Sequence, residues 1–373
     1  MKKILIATDN YLPRWDGIAR FLSEVIPRLQ ERFEIAVIAP NFGELEEQKG
    51  YKLVRFPLNK HLTFGDFTFA RPDSSVMRKL IRDSDIVFTQ TIGPIGAKAI
   101  KLASALRKPC VAFIHSIEYE LAVKAMKGFL KKYAGNIVKN RAKKLYNKCD
   151  LILVPSEDVE ELLHWQNITT PSSIVHLGVN PGKFSPPENK QDAKQQIGLD
   201  PSEIIIGYHG RIAREKDLLT LFRAFIRLQS KYKEIKLLMV GDGVKEIVDM
   251  FKKRHGVIVV SAKRHVQEYL EAMDIYVLTS LTETTSLGTL EAMSCELPVI
   301  ATRVGFVKDY IIDGINGFLI DKKQPYQLMK KIENLIEDSY ARKRIGKEAR
   351  KSIIKKFSRD NTVKRISELF DDI

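Results

Sequence analysis

Short β-branched apolar runs alternate with amphipathic stretches in two separate series along this chain, and that alternation limits the folds open to it more than any single residue does. In the first series, Lys3 to Thr8, Glu34 to Ala39, Asp85 to Thr89, Pro109 to Ile114 and Leu151 to Pro155 read as buried parallel strands. Strands covered on both faces show continuous hydrophobicity and not a strict in-out alternation. Between them, Ile18, Phe21, Leu22, Val25, Ile26 and Leu29 mark one face of a helix that Pro27 should kink, and Gly93 to Leu106 reads as another helix. The second series comprises Ile204 to His209, Lys236 to Val240, Val257 to Val260, Ile275 to Leu278, Pro298 to Ala301 and Gly317 to Ile320. Strand-helix alternation of this kind predicts doubly wound α/β folding. A length of 373 residues exceeds what one core usually supports, so two Rossmann-like domains are expected. The Gly- and Pro-rich stretch from Leu177 to Pro187 reads as a linker, which places the boundary near Gly178. Two such domains on a hinge would form a deep cleft at the carboxyl ends of both sheets, where ligands bind in this architecture.

Charge narrows the classes of partner. The net charge is +15, which favours anionic partners. The excess is concentrated between Leu121 and Cys149, where Lys124, Lys127, Lys131, Lys132, Lys139, Arg141, Lys143, Lys144 and Lys148 occur without an acidic residue. Apolar residues interleave at near-helical spacing, among them Phe129, Ile137 and Leu145, so the tract describes a basic amphipathic segment. The alternative is a solvated helix whose apolar side packs on its own domain. Few aromatics accompany the charge, which argues against nucleic acid as the partner. No stretch reaches the roughly 18 apolar residues needed to span a bilayer. The start, Met1-Lys2-Lys3 and five apolar or small residues, is too short for a signal peptide, so a cytoplasmic location is expected. Cys110, Cys149 and Cys295 have neither zinc nor redox spacing and read as reduced, mostly structural thiols.

Several loops after predicted strands carry candidate chemistry. Glu283 and Glu291 are separated by seven residues, Thr284 to Leu290, across a loop-to-helix junction. Two carboxylates at that spacing can accept charge-assisted hydrogen bonds from separate points of an extended polyhydroxylated ligand; the alternative is two solvated acids on one helix. After the strand Ile204 to His209 comes Gly210-Arg211-Ile212-Ala213-Arg214-Glu215-Lys216-Asp217. Here Arg211 offers a planar fork for phosphate and Lys216 a mobile point charge from the first turn of the next helix, together a diphosphate clamp. Gly241 and Gly243 in Val240-Gly241-Asp242-Gly243 would let ligand and backbone come close. In the first half, Gly17 precedes a helix, where its amide could meet a phosphate or serve only as a capping turn. His115 follows a strand end, a usual place for reactive groups, although a lone histidine can equally be structural.

Taken jointly and in order, Asp16-Gly17, His115, Gly210-Arg211 with Lys216, Val240-Gly241-Asp242-Gly243 and the Glu283/Glu291 pair resemble the retaining family-4 glycosyltransferases of the GT-B fold. The resemblance covers nearly the whole chain. It implies that residues 1–177 bind the acceptor, that 178–356 bind the nucleotide sugar, and that 357–373 form a terminal helix crossing back onto the first domain. It further implies that Arg211 and Lys216 bind the nucleotide diphosphate and stabilise its departing charge. Glu291 would hold the ribose hydroxyls; Glu283, with backbone amides of Ser286, Leu287 and Gly288, the donor-sugar hydroxyls; and His115 the donor sugar near its reacting carbon. Gly17 would leave room for the β-phosphate and acceptor, with Gly210 and Gly241 beside the nucleotide. The transition state would resemble an oxocarbenium ion, and the leaving phosphate itself would help deprotonate the acceptor.

The same resemblance implies no cofactor and no metal: the only Asp-x-Asp, Asp83-Ser84-Asp85, reads as a solvated helix end. The family commonly has Phe-Gly where this chain has Thr285-Ser286, and Gly where it has Glu296 and Phe306. Asp16 to Ala19, His115-Ser116 with Tyr119, the basic tract, and Thr282-Glu283-Thr284 are most similar to the branch that glucosylates diacylglycerol-type lipids. That branch implies a UDP-hexose donor, GDP-mannose being the next choice. It also implies a lipid or lipid-linked acceptor and attachment to the inner face of the membrane through Lys124, Lys127, Phe129, Lys131 and Lys132. A soluble sugar acceptor, a non-catalytic nucleotide-sugar-binding module and a sugar-nucleotide epimerase stay open. An oxidoreductase is disfavoured because no Gly-x-Gly-x-x-Gly follows the first strand of either half.

Overall fold

The computed structural model describes residues 1–14, 16–45, 50–64, 67–115, 131–261 and 266–373. The chain divides into two compact units, Met1–His176 with Thr362–Ile373, and Leu177–Asn361.

The first unit contains β1 (Lys3–Ala7), α1 (Gly17–Leu29), β2 (Glu34–Pro40), β3 (Lys52–Phe56), β4 (Leu58–Phe64), β5 (Phe67–Ala70), α2 (Ser74–Arg82), β6 (Ile86–Thr89), α3 (Pro94–Leu106), β7 (Cys110–Phe113), α4 (Lys131–Tyr146), β8 (Leu151–Val154), α5 (Glu157–Trp165) and β9 (Ser172–Ile174). Seven strands form one sheet in the order β3-β2-β1-β6-β7-β8-β9, and every pairing in it is parallel. Its central strands are buried because helices cover them: Leu5, Val87, Val111 and Leu153 have no exposed area to speak of. Pro27 lies in the last turn of α1, which ends at Leu29. Strands β3, β4, β5 and β9 were not legible in the hydrophobic pattern. Lys52-Leu53-Val54-Arg55-Phe56 and Leu58-Asn59-Lys60-His61 mix charged and apolar residues, as edge and hairpin strands do.

The second unit contains α6 (Lys190–Gln196), β10 (Ile204–His209), α7 (Leu218–Lys231), β11 (Ile235–Val240), α8 (Lys245–Lys252), β12 (Val257–Val260), α9 (Gln267–Ala272), β13 (Ile275–Leu278), α10 (Leu287–Ser294), β14 (Val299–Thr302), α11 (Val307–Tyr310), β15 (Phe318–Ile320), α12 (Pro325–Glu337) and α13 (Ser339–Lys356). Its six strands are parallel, in the order β12-β11-β10-β13-β14-β15. Helix α14 (Arg359–Asp371) starts in this unit and ends in the first, where Phe370 packs edge-on against Phe88 at 5.0 Å and Phe33 at 5.7 Å. In each sheet the strand order reverses once, between β1 and β6 and between β10 and β13. The loops after those strands therefore diverge and leave a crevice at their carboxyl ends.

The stretch read as a linker is largely built into the second unit. Val179 N donates to Phe357 O at 3.0 Å, and Arg359 N donates to Val179 O at 2.7 Å. A Cβ on Gly178 would stand 2.2 Å from Ser358 O, so the close approach of these two segments requires glycine there. Phe184 is buried in the core, and its carbonyl accepts from Ser294 Oγ at 2.6 Å. Gly178, one of the residues that suggested a hinge, thus serves close backbone packing.

Two of the residues standing where the family commonly has glycine adopt the left-handed conformation, Ser286 at φ +59° and Glu296 at φ +59°. Phe306, at φ −67°, does not. Glu296 follows the carboxyl end of α10, the position where a side chain costs most relative to glycine. Replacing Glu296→Gly is expected to raise stability by about 1 kcal/mol, read as a shift of the urea midpoint at unchanged slope. An unchanged or lower midpoint would contradict this account of the turn.

Candidate functional site

In the first unit, candidate groups collect at the carboxyl ends of β1, β6 and β7, three adjacent strands. Asp9, two residues past β1, is buried and accepts from Thr91 Oγ1 at 2.6 Å, Ile95 N at 2.8 Å and Gly96 N at 3.1 Å. It caps α3 from a distance, because the residue before that helix, Gly93, has no side chain to do so. Burial pushes the Asp9 carboxyl upward, against the pull of those hydrogen bonds. Asp16 caps α1 itself, its Oδ1 accepting from Ile18 N at 3.0 Å and Ala19 N at 2.9 Å. With two first-turn donors taken by a carboxylate, Gly17 contributes room more than charge. A Cβ there would meet nothing within 4 Å.

His115 lies just beyond β7. Its Nε2 is 2.8 Å from Oε1 of Gln90, a buried residue one position past β6. The imidazole is held between Phe113, with ring centroids 4.5 Å apart, and Phe21, at 4.9 Å. Phe21 is one turn beyond Gly17 on α1, so the histidine ring and the open space over Gly17 lie along one helix face. Ser116, Tyr119, Lys124, Lys127 and Phe129 lie outside the described residues, as do the side chains of Lys131 and Lys132 at the start of α4. Farther along that helix, Ile137 is 54% exposed, and Arg141 and Lys144 are exposed at the same face by spacing.

In the second unit, the loops after β10 and β13 meet. Lys216 Nζ lies 2.6 Å from Glu283 Oε1, with only 18% and 10% of the two side chains exposed. Ser280 Oγ donates to the same Oε1 at 2.6 Å. Backbone bonds tie the loops behind the pair: Leu281 N donates to Glu215 O at 2.8 Å, and Thr279 Oγ1 donates to Lys216 O at 2.9 Å. Lys216 ends a 3-10 turn, Arg214–Lys216, and is not in the first turn of α7 as its sequence position implied. Asp217, in the left-handed conformation at φ +45°, separates the two. Arg211 pairs with Glu215 four residues on, and 69% of its side chain is exposed. Both cations of the expected clamp are therefore matched to carboxylates in this state.

Glu291, on α10, is fully buried, with Oε2 3.0 Å from His209 Nε2. Neither member of the carboxylate pair is a solvated surface acid. Ser286 precedes α10 in its left-handed conformation, with Oγ 2.8 Å from Thr289 Oγ1. By helix geometry the N–H groups of Leu287 and Gly288 have no carbonyl one turn back, so they are donors facing outward from the helix end. Gly288 also allows the helix to sit on β10, since a Cβ there would be 3.0 Å from both His209 O and Tyr276 Oη. Tyr276 Oη donates to His209 O at 3.0 Å, and burial raises the phenol well above its ordinary value. The glycines of the fourth loop also have a packing role. A Cβ on Gly241 would lie 1.9 Å from Gly210 O and one on Gly243 1.9 Å from Ile212 O, so they let this loop pack on the Gly210–Ile212 backbone.

Four residues of these two clusters were given no role on the sequence alone: Asp9, Gln90, His209 and Ser280. His209 carries the same signal that singled out His115, an imidazole at the carboxyl end of a parallel strand. Among the described residues no group of His, Cys, Asp or Glu is arranged to hold a metal ion, and no helix is long and apolar enough to cross a membrane.

Each unit thus carries a parallel sheet with polar groups gathered at its switch point, the architecture of nucleotide-binding α/β proteins. The model of Glycosyltransferase Family 4 matches residues 15–183 and that of Glycosyl transferases group 1 matches 189–352. The chain belongs to this family of glycosyltransferases. It is 24% identical over 331 residues to an alpha-monoglucosyldiacylglycerol synthase of Streptococcus pneumoniae, covering 85% of this chain and 75% of that one. It is 24% identical over 343 residues to the alpha-monoglucosyldiacylglycerol synthase of Acholeplasma laidlawii, covering 86% and 85%. Among solved structures, Anabaena HepE in complex with UDP superposes with a TM-score of 0.80 at 18% identity over the whole of both chains. A glycosyltransferase of Rickettsia africae does so at 0.79 and 18%, covering 100% of this chain and 98% of that one. The fold is that of the GT-B glycosyltransferases, as the sequence implied.

A largely buried ion pair is costly to break by halves, because the remaining charge keeps its desolvation penalty. Lys216→Met and Glu283→Gln are each expected to destabilise by about 3 kcal/mol, and the double variant by clearly less than their sum. A double-mutant cycle in urea reads this coupling. Strict additivity would mean that the pair is not held as described.

Proposed function

We propose that this glycosyltransferase is a retaining hexosyltransferase that takes its sugar from a UDP-hexose and passes it to a lipid or lipid-linked hydroxyl at a membrane surface. The single observation that carries the reading is the Lys216–Glu283 pair beside the amino-terminal end of α10. A diphosphate is the ligand for which a lysine would exchange its carboxylate partner, and an amino sugar or hexose hydroxyl is what the released carboxylate would then accept from. Lys216 and Arg211 would stabilise the charge building on the departing diphosphate, an electrostatic role of several kcal/mol in comparable sites. Glu283, with Leu287 and Gly288 N–H groups, would orient the hexose, and Glu291 the ribose. We assign the acceptor to the first unit, where His115 is braced by Gln90 and the absent side chain of Gly17 leaves room.

Relatives support the finer parts of the reading. Two are named alpha-monoglucosyldiacylglycerol synthase, and the HepE structures include complexes with UDP and with UDP-glucose. The exposed Ile137, Arg141 and Lys144 of α4 suit an anionic surface, where each cation contributes on the order of 1 kcal/mol. Transfer needs no group beyond the chain and its two substrates on this reading.

Ligands that bind only the native state raise its melting point. UDP and UDP-glucose are expected to raise it by several degrees where GDP and GDP-mannose do not, and Glu283→Gln is expected to abolish turnover while remaining folded. A response to GDP alone would shift the donor to GDP-mannose. An inert wild type would favour a non-catalytic binding module. The protein is also expected to sediment with phosphatidylglycerol vesicles at low salt and to be released by high salt; failure to sediment would move the acceptor to a soluble sugar.

A further inference from the structure

His209 has no role in the reading so far, yet it and its partner Glu291 are almost wholly withdrawn from solvent, at 9% and 1% exposed. A buried carboxylate without a partner is strongly unfavourable, and the partner supplied here comes from a different strand. With Glu291 ionised its carboxylate can only accept, so the tautomer that satisfies the 3.0 Å contact carries its proton on His209 Nε2. Three neighbours fix the histidine. Its carbonyl accepts from Tyr276 Oη at 3.0 Å, Gly288 leaves space that a Cβ would close to 3.4 Å from its Cδ2, and its Cα is held in register with Val240 of β11. Gly288 and Glu291 are three residues apart on α10, so the histidine ring edge runs along one face of that helix from its first turn to the carboxylate.

We propose that His209 is a positioning residue for nucleotide recognition: by donating to Oε2 it sets the rotamer of Glu291, and thereby the direction from which that carboxylate accepts ribose hydroxyls. The assignment rests on the nucleotide-sugar reading above. It predicts an effect confined to one part of the ligand, since His209 acts on the ribose only through Glu291 and has no role at the diphosphate.

The test is calorimetric titration of UDP and of 2′,3′-dideoxy-UDP into the full chain, as wild type, His209→Leu and His209→Gln. The leucine variant is expected to bind UDP about tenfold more weakly, the loss of one hydrogen bond to a charged group. The glutamine variant, whose amide can still donate, is expected to recover most of that loss. For the dideoxy nucleotide, leucine and wild type should agree within about twofold, because the hydroxyls through which the effect is read are gone. Should the leucine variant not fold, His209→Asn gives the same comparison, its amide being too short to reach Glu291. A leucine or asparagine variant that binds UDP as well as wild type overturns the assignment, as does an equal loss for both nucleotides, which would mark a structural role. A wild type that binds no nucleoside diphosphate overturns the donor reading itself, and the assignment with it.

Discussion

Charge kept away from water is the constraint around which the second unit is arranged. Lys216 and Glu283 meet at 2.6 Å with little of either side chain exposed, and their loops are stitched together behind them by Leu281 N to Glu215 O and Thr279 Oγ1 to Lys216 O. A pair held this way contributes little net stability, because desolvation offsets most of the attraction. On the proposed function its use would lie in exchanging partners. A polyanion arriving at Lys216 would replace one carboxylate by another negative group, leaving the lysine paired, while Glu283 would become available to hydroxyl donors. The fold holds that exchange in place through the β10/β13 switch point, which brings the two loops side by side.

The first unit solves a different problem with the same architecture. Its strand ends carry Asp9, Gln90 and His115, of which the first two are buried and serve the backbone or the histidine. Asp16 takes two of the α1 donors that would otherwise attract an anion, and the open space over Gly17 lies on the helix face that also carries Phe21, a ring neighbour of His115. That environment suits an uncharged hydroxyl-bearing group better than a second phosphate. The contrast between the units, cations and acids in one, a braced imidazole and apolar rings in the other, is the physical basis for assigning donor to the second and acceptor to the first.

Much of this was legible in the residues. Fully buried parallel strands announce themselves as continuous runs such as Ile204 to His209, and the order of two series of them fixed the fold class. Arg211 and Lys216 stood out because charge soon after such a strand is placed at the sheet's carboxyl end, and Glu283 and Glu291 because their spacing spans a loop-to-helix junction. What stayed hidden depended on contacts distant in sequence. The buried state of Glu291 requires His209, 82 positions earlier; the cap on α3 comes from Asp9, 86 positions before Ile95; and the ordered packing of Gly178 requires Ser358. Gly241 and Gly243 are a related case. Their small size was visible, but only the structure shows that they admit the Gly210–Ile212 backbone. Ser286 and Glu296 hold left-handed backbone without glycine, a strain that sequence marks only as a departure from the family pattern.

The account stands on the second unit receiving a nucleoside diphosphate at the Lys216–Glu283 pair. A crystal structure of the chain with UDP, or with GDP should that bind instead, tests it most directly. The predicted result has diphosphate oxygens within hydrogen-bonding distance of Lys216 Nζ and the Arg211 guanidinium, with the ribose at Glu291. Nucleotide found elsewhere on the molecule, with the Lys216–Glu283 contact unchanged, would contradict it.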